Sequence, residues 1–270
     1  LLCESEKNPL NTSSFGTGEL IANALDQNVE EVYLLIGGSA TNDGGIGMAE
    51  ALGFQFMSDQ GLSTGLIGSS LIDLKKIDDV EIHQSINQVT FTVLSDVRNA
   101  LIGSEGASYV YGAQKGADSK AIDLLDKGLE NLASILVNGF ELNEGAGAAG
   151  GLGYGAMSFL EARMVSGIEA IMNVVDFDHY AKSADLIITG EGKMDSQTSA
   201  GKVVSGVSQY GKINNIPIGI LCGIIERGTQ DFDSKIVGQI SDLALDFDDA
   251  MTNAAHYLEE LAFQMISHFR

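Results

Sequence analysis

The sequence predicts an α/β protein, and three observations carry that expectation. Apolar runs at Val32–Ile36, Val89–Leu94, Asp185–Thr189 and Ile216–Gly223 read as strands. Stretches with apolar residues at helical spacing lie between them. Short runs rich in Gly, Ser, Thr, Asn and Asp follow the strands, and open α/β sheets bind ligands at the carboxyl ends of their strands. Strands of this kind at the two ends of the chain bracket a middle region of different texture. The expected architecture is one discontinuous α/β domain, residues 1–46 and 177–270, with a second α/β domain, residues 47–176, inserted. The cleft between domains is the default ligand site.

The elements follow in order. Residues 1–16 are polar and read as loop, with Asn8-Pro9 and the run Asn11-Thr12-Ser13-Ser14. Thr17 to Gln27 carries Leu20, Ile21, Ala24 and Leu25 at helical spacing, with Thr17 as its cap. The strand Val32–Ile36 then breaks into Gly37-Gly38-Ser39-Ala40-Thr41-Asn42-Asp43-Gly44-Gly45, and a helix begins near Ile46. Glycines bring backbone close to a ligand, and N–H groups at a helix start hold phosphate or carboxylate. This stretch has two readings, an anion cradle or a tight turn capped by Asn or Asp.

Phe54–Met57 alternates like a short strand, and Leu71–Lys76 reads as another short element. Val89–Leu94, β-branched and aromatic, leads to Asp96 and Arg98, which read as ligand contacts or as a local salt-bridged turn. In Gly103–Gly116, Lys115 reads either as a point charge for an anionic group or as a solvated loop lysine. Ala117–Leu136 is amphipathic, with Ile122, Leu125, Leu129, Leu132 and Leu136 on one face.

Gly145-Ala-Gly-Ala-Ala-Gly150 has the letters of a dinucleotide fingerprint, but no buried strand precedes it. The run Gly145–Gly155 reads as a hinge, a lid or a close-packing surface before a helix near Ala156–Met164. Strand Asp185–Thr189 enters Gly190–Thr198, and a helix, Gly201–Tyr210, follows. Strand Ile216–Gly223 carries its Pro near the start, where a strand tolerates it. A weaker element, Ser241–Phe247, precedes a last helix from about Asp248 to His268.

Composition narrows the function. The chain has 270 residues, 15 Lys+Arg against 37 Asp+Glu, and a formal net charge of -22. Nucleic acid and anionic membranes ask for a basic footprint, so neither is an expected partner. Two distant cysteines, Cys3 and Cys222, argue against a disulfide framework and for a reducing, cytoplasmic compartment. The four histidines show no metal-ligand spacing. The Walker A pattern is absent, since Val203 follows Gly201-Lys202 where Ser or Thr belongs.

Four segments in register carry a resemblance: Gly37–Gly45, Gly112–Ala117, Gly145–Gly153 and Thr189-Gly-Glu-Gly-Lys-Met-Asp-Ser-Gln-Thr198. Together they resemble the bacterial type I glycerate kinase family over nearly the whole chain. Family members begin with a strand and a Pro-Asp-Ser-Phe-Lys-like loop that these residues lack, so the first domain is expected to be incomplete at its N-terminus. The resemblance implies an ATP-dependent kinase of D-glycerate, with a discontinuous flavodoxin-like (Rossmann-type) domain and a second α/β domain inserted. D-Glycerate and ATP are then the partners, and a homo-oligomer is left open. Phosphoryl transfer asks for positioning and charge neutralisation, and Mg²⁺ takes one or two carboxylates besides phosphate and water. On that reading Asp195 is the general base and Lys193 meets the transferring phosphate. Glu191 or Asp43 lies near the metal. Gly37, Gly38, Ser39, Thr41, Asn42 and Asp43 cradle substrate or phosphate, with Asp96, Arg98, Lys115 and Ser196 as further contacts.

Overall fold

The computed structural model describes residues 2–61, 65–194, 203–226 and 236–269. They divide into two compact units, Leu1–Val165 and Ser166–Arg270.

The first unit runs α1 (Phe15–Asp26), β1 (Glu31–Leu35), α2 (Ile46–Ala51), β2 (Gln55–Met57), β3 (Lys76–Asp78), β4 (Thr90–Leu94), α3 (Ala107–Tyr111), α4 (Ser119–Leu136), α5 (Ala148–Leu160) and β5 (Arg163–Val165). Strands β1, β4 and β5 form a parallel sheet in that order, with Leu35 opposite Leu94 and Leu94 opposite Val165. Because side chains alternate along a strand, Leu34, Phe91 and Val93 fall on one face. There they join Ile21, Leu25, Met48 and Leu52 in the core. Strands β2 and β3 pair antiparallel.

Helix α4 fulfils its pattern. Leu125, Leu129 and Leu132 are fully buried, and Asp118 caps the helix by accepting the Ala121 N–H at 2.8 Å. Each such leucine contributes about 1.5–3 kcal/mol by leaving water.

Three elements differ from expectation. Helix α1 starts at Phe15 with Ser14 at the N-cap position, ahead of Thr17. Ser14 is held there by a tertiary partner, Asp43, which local spacing does not reveal. Helix α5 starts at Ala148 rather than near Ala156, and its first turn is left-handed at Ala149, Gly150 and Gly151 (φ 54, 71 and 87°). The glycine run is buried packing surface rather than an exposed lid. The last helix is broken at Asn253, which ends one helix and precedes the next, and whose side chain donates to the Asp249 carboxylate at 2.7 Å.

The second unit runs α6 (Gly167–Val174), α7 (Phe177–Ala181), β6 (Ile187–Met194), α8 (Val203–Asn214), β7 (Ile218–Ile225), β8 (Ile236–Gln239), α9 (Phe247–Thr252) and α10 (Ala254–Phe269). Strands β6, β7 and β8 form a second parallel sheet. A parallel sheet needs cover on both faces. Val204 and Val207 of α8 pack with Ile218, Ile220 and Cys222 on one face. Met265 and Leu261 of α10 lie against Gly219 and Gly238 on the other.

Strand β1 is hydrogen-bonded to β4, and β4 to β5, so residues 1–46 share a unit with residues 47–165. Among the described residues no helix is long and apolar enough to cross a membrane.

Candidate functional site

The organising feature of the first unit is the turn between β1 and α2. Gly44 and Gly45 have φ of 62 and 79°, a conformation glycine adopts without strain. The Gly44 N–H donates to the Gly150 carbonyl at 3.1 Å. A Cβ on Gly150 would run into the Thr41 carbonyl oxygen, and one on Gly155 into the Gly44 carbonyl. The left-handed start of α5 therefore exists to lay backbone directly on backbone.

Six polar or charged side chains are buried among the described residues: Ser14, Asn42, Asp43, Ser108, Lys115 and Ser208. The first five meet at this turn. Asp43 accepts the Ser14 N–H at 2.6 Å and the Ser14 hydroxyl at 2.7 Å through Oδ2, and the Gly45 N–H at 3.2 Å through Oδ1. Ser14 Oγ in turn accepts the Met48 N–H at 2.9 Å. Burial raises the Asp43 pKa above the usual carboxylate range, and these hydrogen bonds oppose the shift. Asn42 Nδ2 donates to Ser108 Oγ at 2.9 Å, while Asn42 Oδ1 has no partner among the described residues.

Lys115 is 2% exposed and donates from Nζ to the Thr41 carbonyl at 2.7 Å. Desolvation lowers its pKa to about 8, against the pull of the Asp43 charge.

These placements bear on two of the residues singled out in the sequence. Asp43 is wholly buried, and both of its carboxylate oxygens accept hydrogen bonds within the turn, which is the capping geometry. Lys115 is neither a solvated loop lysine nor open to an outside anion, because its ammonium is turned into the protein. Asn42 is likewise buried, and Thr41 engages Lys115 through its carbonyl.

What remains open to solvent lies at the carboxyl edge of the sheet. Gly37 and Gly38 are exposed and Ser39 is half-buried, just past the end of β1. A Cβ on Gly37 would meet nothing. Asp96 and Arg98 are exposed just past the end of β4. Because Leu35 and Leu94 are in register, the two loops leave neighbouring strands side by side. Gly37, Gly38, Ser39, Asp96 and Arg98 thus follow the carboxyl ends of two neighbouring strands of one sheet.

In the second unit, Glu191 and Lys193 lie on the carboxyl half of β6. Glu191 is opposite Cys222 on β7. Its Oε1 is buried with no hydrogen-bond partner among the described residues. Lys193 Nζ pairs with Glu226 Oε1 at 2.7 Å. Burial pushes the Cys222 thiol up to about 11, and the charges of Glu191 and Asp242 add to the shift. Asp195 and Ser196 lie outside the described residues. No group of three or more His, Cys, Asp or Glu side chains that could hold a metal ion occurs among the described residues.

Sequence reasoning missed Ser14, Ser108 and Glu226. Ser14 and Ser108 sit in polar runs that look like any loop, and only the fold shows Asp43 and Asn42 as their partners. Glu226 follows directly on the strand Ile218–Ile225, a position from which it had been available to find. A surface groove of about 680 Å³ in the first unit, lined by Asn138, Phe140, Glu144, Met157 and Glu161 among others, touches none of the candidate residues.

The profile of the glycerate kinase family matches residues 1–270. The chain is 40% identical over 273 residues to a glycerate kinase of Halalkalibacterium halodurans, covering 97% of this chain and 71% of that protein. It is 39% identical over 264 residues to a glycerate kinase of Bacillus subtilis, covering 95% and 69%. A glycerate 2-kinase of Escherichia coli is 39% identical over 222 residues, covering 81% of this chain and 58% of that one. A crystal structure assigned to glycerate kinase 2 of Salmonella typhimurium LT2 superposes with a TM-score of 0.81 at 35% identity, covering 99% of this chain and 73% of that one.

Proposed function

Because the chain belongs to the glycerate kinase family, we propose that it transfers the γ-phosphoryl group of ATP to D-glycerate. The observation that supports the site assignment is the register of β1 and β4, in which Leu35 lies opposite Leu94, so that the segments holding Gly37–Ser39 and Asp96 and Arg98 leave neighbouring strands at the same end.

Arg98 is suited to the substrate carboxylate, since a guanidinium offers two parallel donors to a planar anion. Gly37, with open space where a side chain would stand, lets an anionic group approach the backbone N–H donors of this loop. In the second unit Lys193 supplies a point charge for the transferring phosphate, with Glu226 holding the amine until substrate arrives. Asp195 accepts the proton of the attacking hydroxyl, and Ser196 adds a hydrogen bond to phosphate.

The donor set fits one magnesium contact. Glu191 Oε1 is a buried, unpartnered carboxylate oxygen, and Mg²⁺ uses one or two carboxylates beside phosphate oxygens and water. A bound Mg²⁺ would neutralise phosphate charge in a protein whose own net charge is -22. The cytoplasm supplies ATP and the reducing conditions that leave Cys3 and Cys222 as thiols.

The name of the Escherichia coli relative supports the 2-hydroxyl as acceptor. The test is ADP release with D-glycerate, ATP and Mg²⁺, with the product identified by ³¹P NMR. Glycerate-dependent turnover giving 2-phosphoglycerate is expected. Folded protein with no turnover above the substrate-free control refutes the activity, and 3-phosphoglycerate refutes the regiochemistry. Asp195→Asn should lower kcat by about 10²–10⁴-fold, the usual worth of a general base.

A further inference from the structure

We propose that Lys115 is a positioning residue: it holds the Thr41 carbonyl and balances Asp43, and so fixes the loop that presents Gly37–Ser39 to substrate. This rests on the function proposed above.

Lysine is almost never fully buried unless it is paired. Lys115 is buried, and its placement is built. It ends the 3₁₀ turn Ala113–Lys115, and the next residue, Gly116, closes that turn at φ 94° by donating its N–H to the Ala113 carbonyl. A Cβ at Gly116 would press on the Lys7 carbonyl, so the side-chain-free position locks the turn against the N-terminal segment.

The segment from α3 to Lys115 then grips the Thr41–Asp43 stretch twice. Ser108 takes Asn42 Nδ2 at 2.9 Å, and Lys115 Nζ takes the Thr41 carbonyl at 2.7 Å. From the opposite side Gly150 closes on the same carbonyl and on the Asn42 Cα. A methionine of similar length would fill the space. It would leave the Thr41 carbonyl without its donor and Asp43 without a counter-charge, and a buried polar group left unpaired drives local rearrangement. The residues that would move are those immediately before Thr41, namely the cradle.

The test is Lys115→Met, read by amide hydrogen exchange and by steady-state kinetics on the same protein. Exchange is expected to speed up by about tenfold or more across residues 36–45, while residues 90–94 of β4 keep their protection, the pattern of a local opening. KM for D-glycerate is expected to rise by about tenfold, with KM for ATP changed by less than about twofold, the mark of lost substrate positioning.

Unchanged exchange at 36–45, or equal loss in β4, overturns the proposal; the second result would make Lys115 a general stabiliser. Equal changes in both KM values, or none in either, also overturn it. If Lys115→Met does not fold, Lys115→Gln, neutral but still a donor, carries the same measurements. Absence of glycerate-dependent turnover in the wild-type chain would sink the kinase reading alone, because the exchange map judges Lys115 without it.

Discussion

Asp43→Asn changes one oxygen to an amide nitrogen in a side chain that solvent does not reach. In the wild type, Oδ2 takes two donors from Ser14 and Oδ1 takes the Gly45 N–H. The Ser14 backbone N–H, which donates to the same Oδ2, can only donate and so cannot face an amide NH₂. The asparagine must therefore keep its oxygen toward Ser14 and point its NH₂ at the Gly45 N–H. Two charge-assisted hydrogen bonds, about 1.5–3 kcal/mol each, drop to the neutral range of about 0.5–1.5, and a third becomes two facing donors. Lys115 also loses its counter-charge, so its amine would titrate below the present value of about 8. The sum is a loss of roughly 3–5 kcal/mol, a large part of the 5–15 or so that holds a typical domain together. Native-state hydrogen exchange of β1 and β4, measured across a urea series, reads the first unit separately from the second. A loss under about 1 kcal/mol would refute the capping role. If Asp43 were a metal ligand instead, the substitution would abolish turnover and leave the stability of this unit nearly untouched.

Four further outcomes follow from the structure. Gly37→Ala should leave the thermal midpoint unchanged while raising KM for D-glycerate, because the added methyl meets no protein atom but stands in the cradle. Gly150→Ala, at φ 71° with its Cβ driven into the Thr41 carbonyl, should lower the midpoint sharply; the reverse order of effects would refute the site. Lys115 titrates at about 8 when folded and 10.5 when free, so between those values the unfolded chain holds its proton and the folded one does not. Stability from this group therefore rises with pH, by roughly 3 kcal/mol at most across the window. Urea midpoints of wild type and Lys115→Met at pH 7.5 and 10 should diverge in the wild type's favour, and parallel curves would contradict the buried ammonium. Iodoacetamide at neutral pH should label exposed Cys3 and spare Cys222, whose buried thiol is pushed up to about 11; rapid labelling of Cys222 in folded protein would contradict its burial.

Much of the fold was legible because its signals are local. The strands around Leu34, Val93 and Ile220 declare themselves by apolar, β-branched composition, and α4 by the spacing of Leu125, Leu129 and Leu132. The glycine-rich ends of these strands marked where chemistry belongs. What sequence could not show was pairing. Nothing in the letters around Tyr33 tells whether its strand lies beside Phe91 or beside Ile188, and the grouping of residues 1–46 turned on that choice. The roles of Asp43 and Lys115 were hidden for the same reason. A carboxylate and an ammonium in loops look like ligand contacts until the fold sets Ser14 and the Thr41 carbonyl against them. Two readings had been open for Asp43, cradle or cap, and the partner that supports the cap lies 29 residues upstream. The start of helix α5 was missed because Gly150 and Gly151 are poor helix formers by propensity, and only contact with another backbone explains them.

The contact between Gly150 and Thr41 makes two stretches a hundred residues apart into a single composite part. Neither half can acquire a side chain unless the other retreats, so they are expected to drift together or not at all. A chimaera of two relatives with its crossover inside this span would mate a turn with a foreign abutment. One that exchanges both pieces as a set would keep the fit. Anyone diversifying the cradle for a new acid should therefore randomise Gly37–Ser39 and leave Thr41–Gly45 and Gly150–Gly155 as inherited.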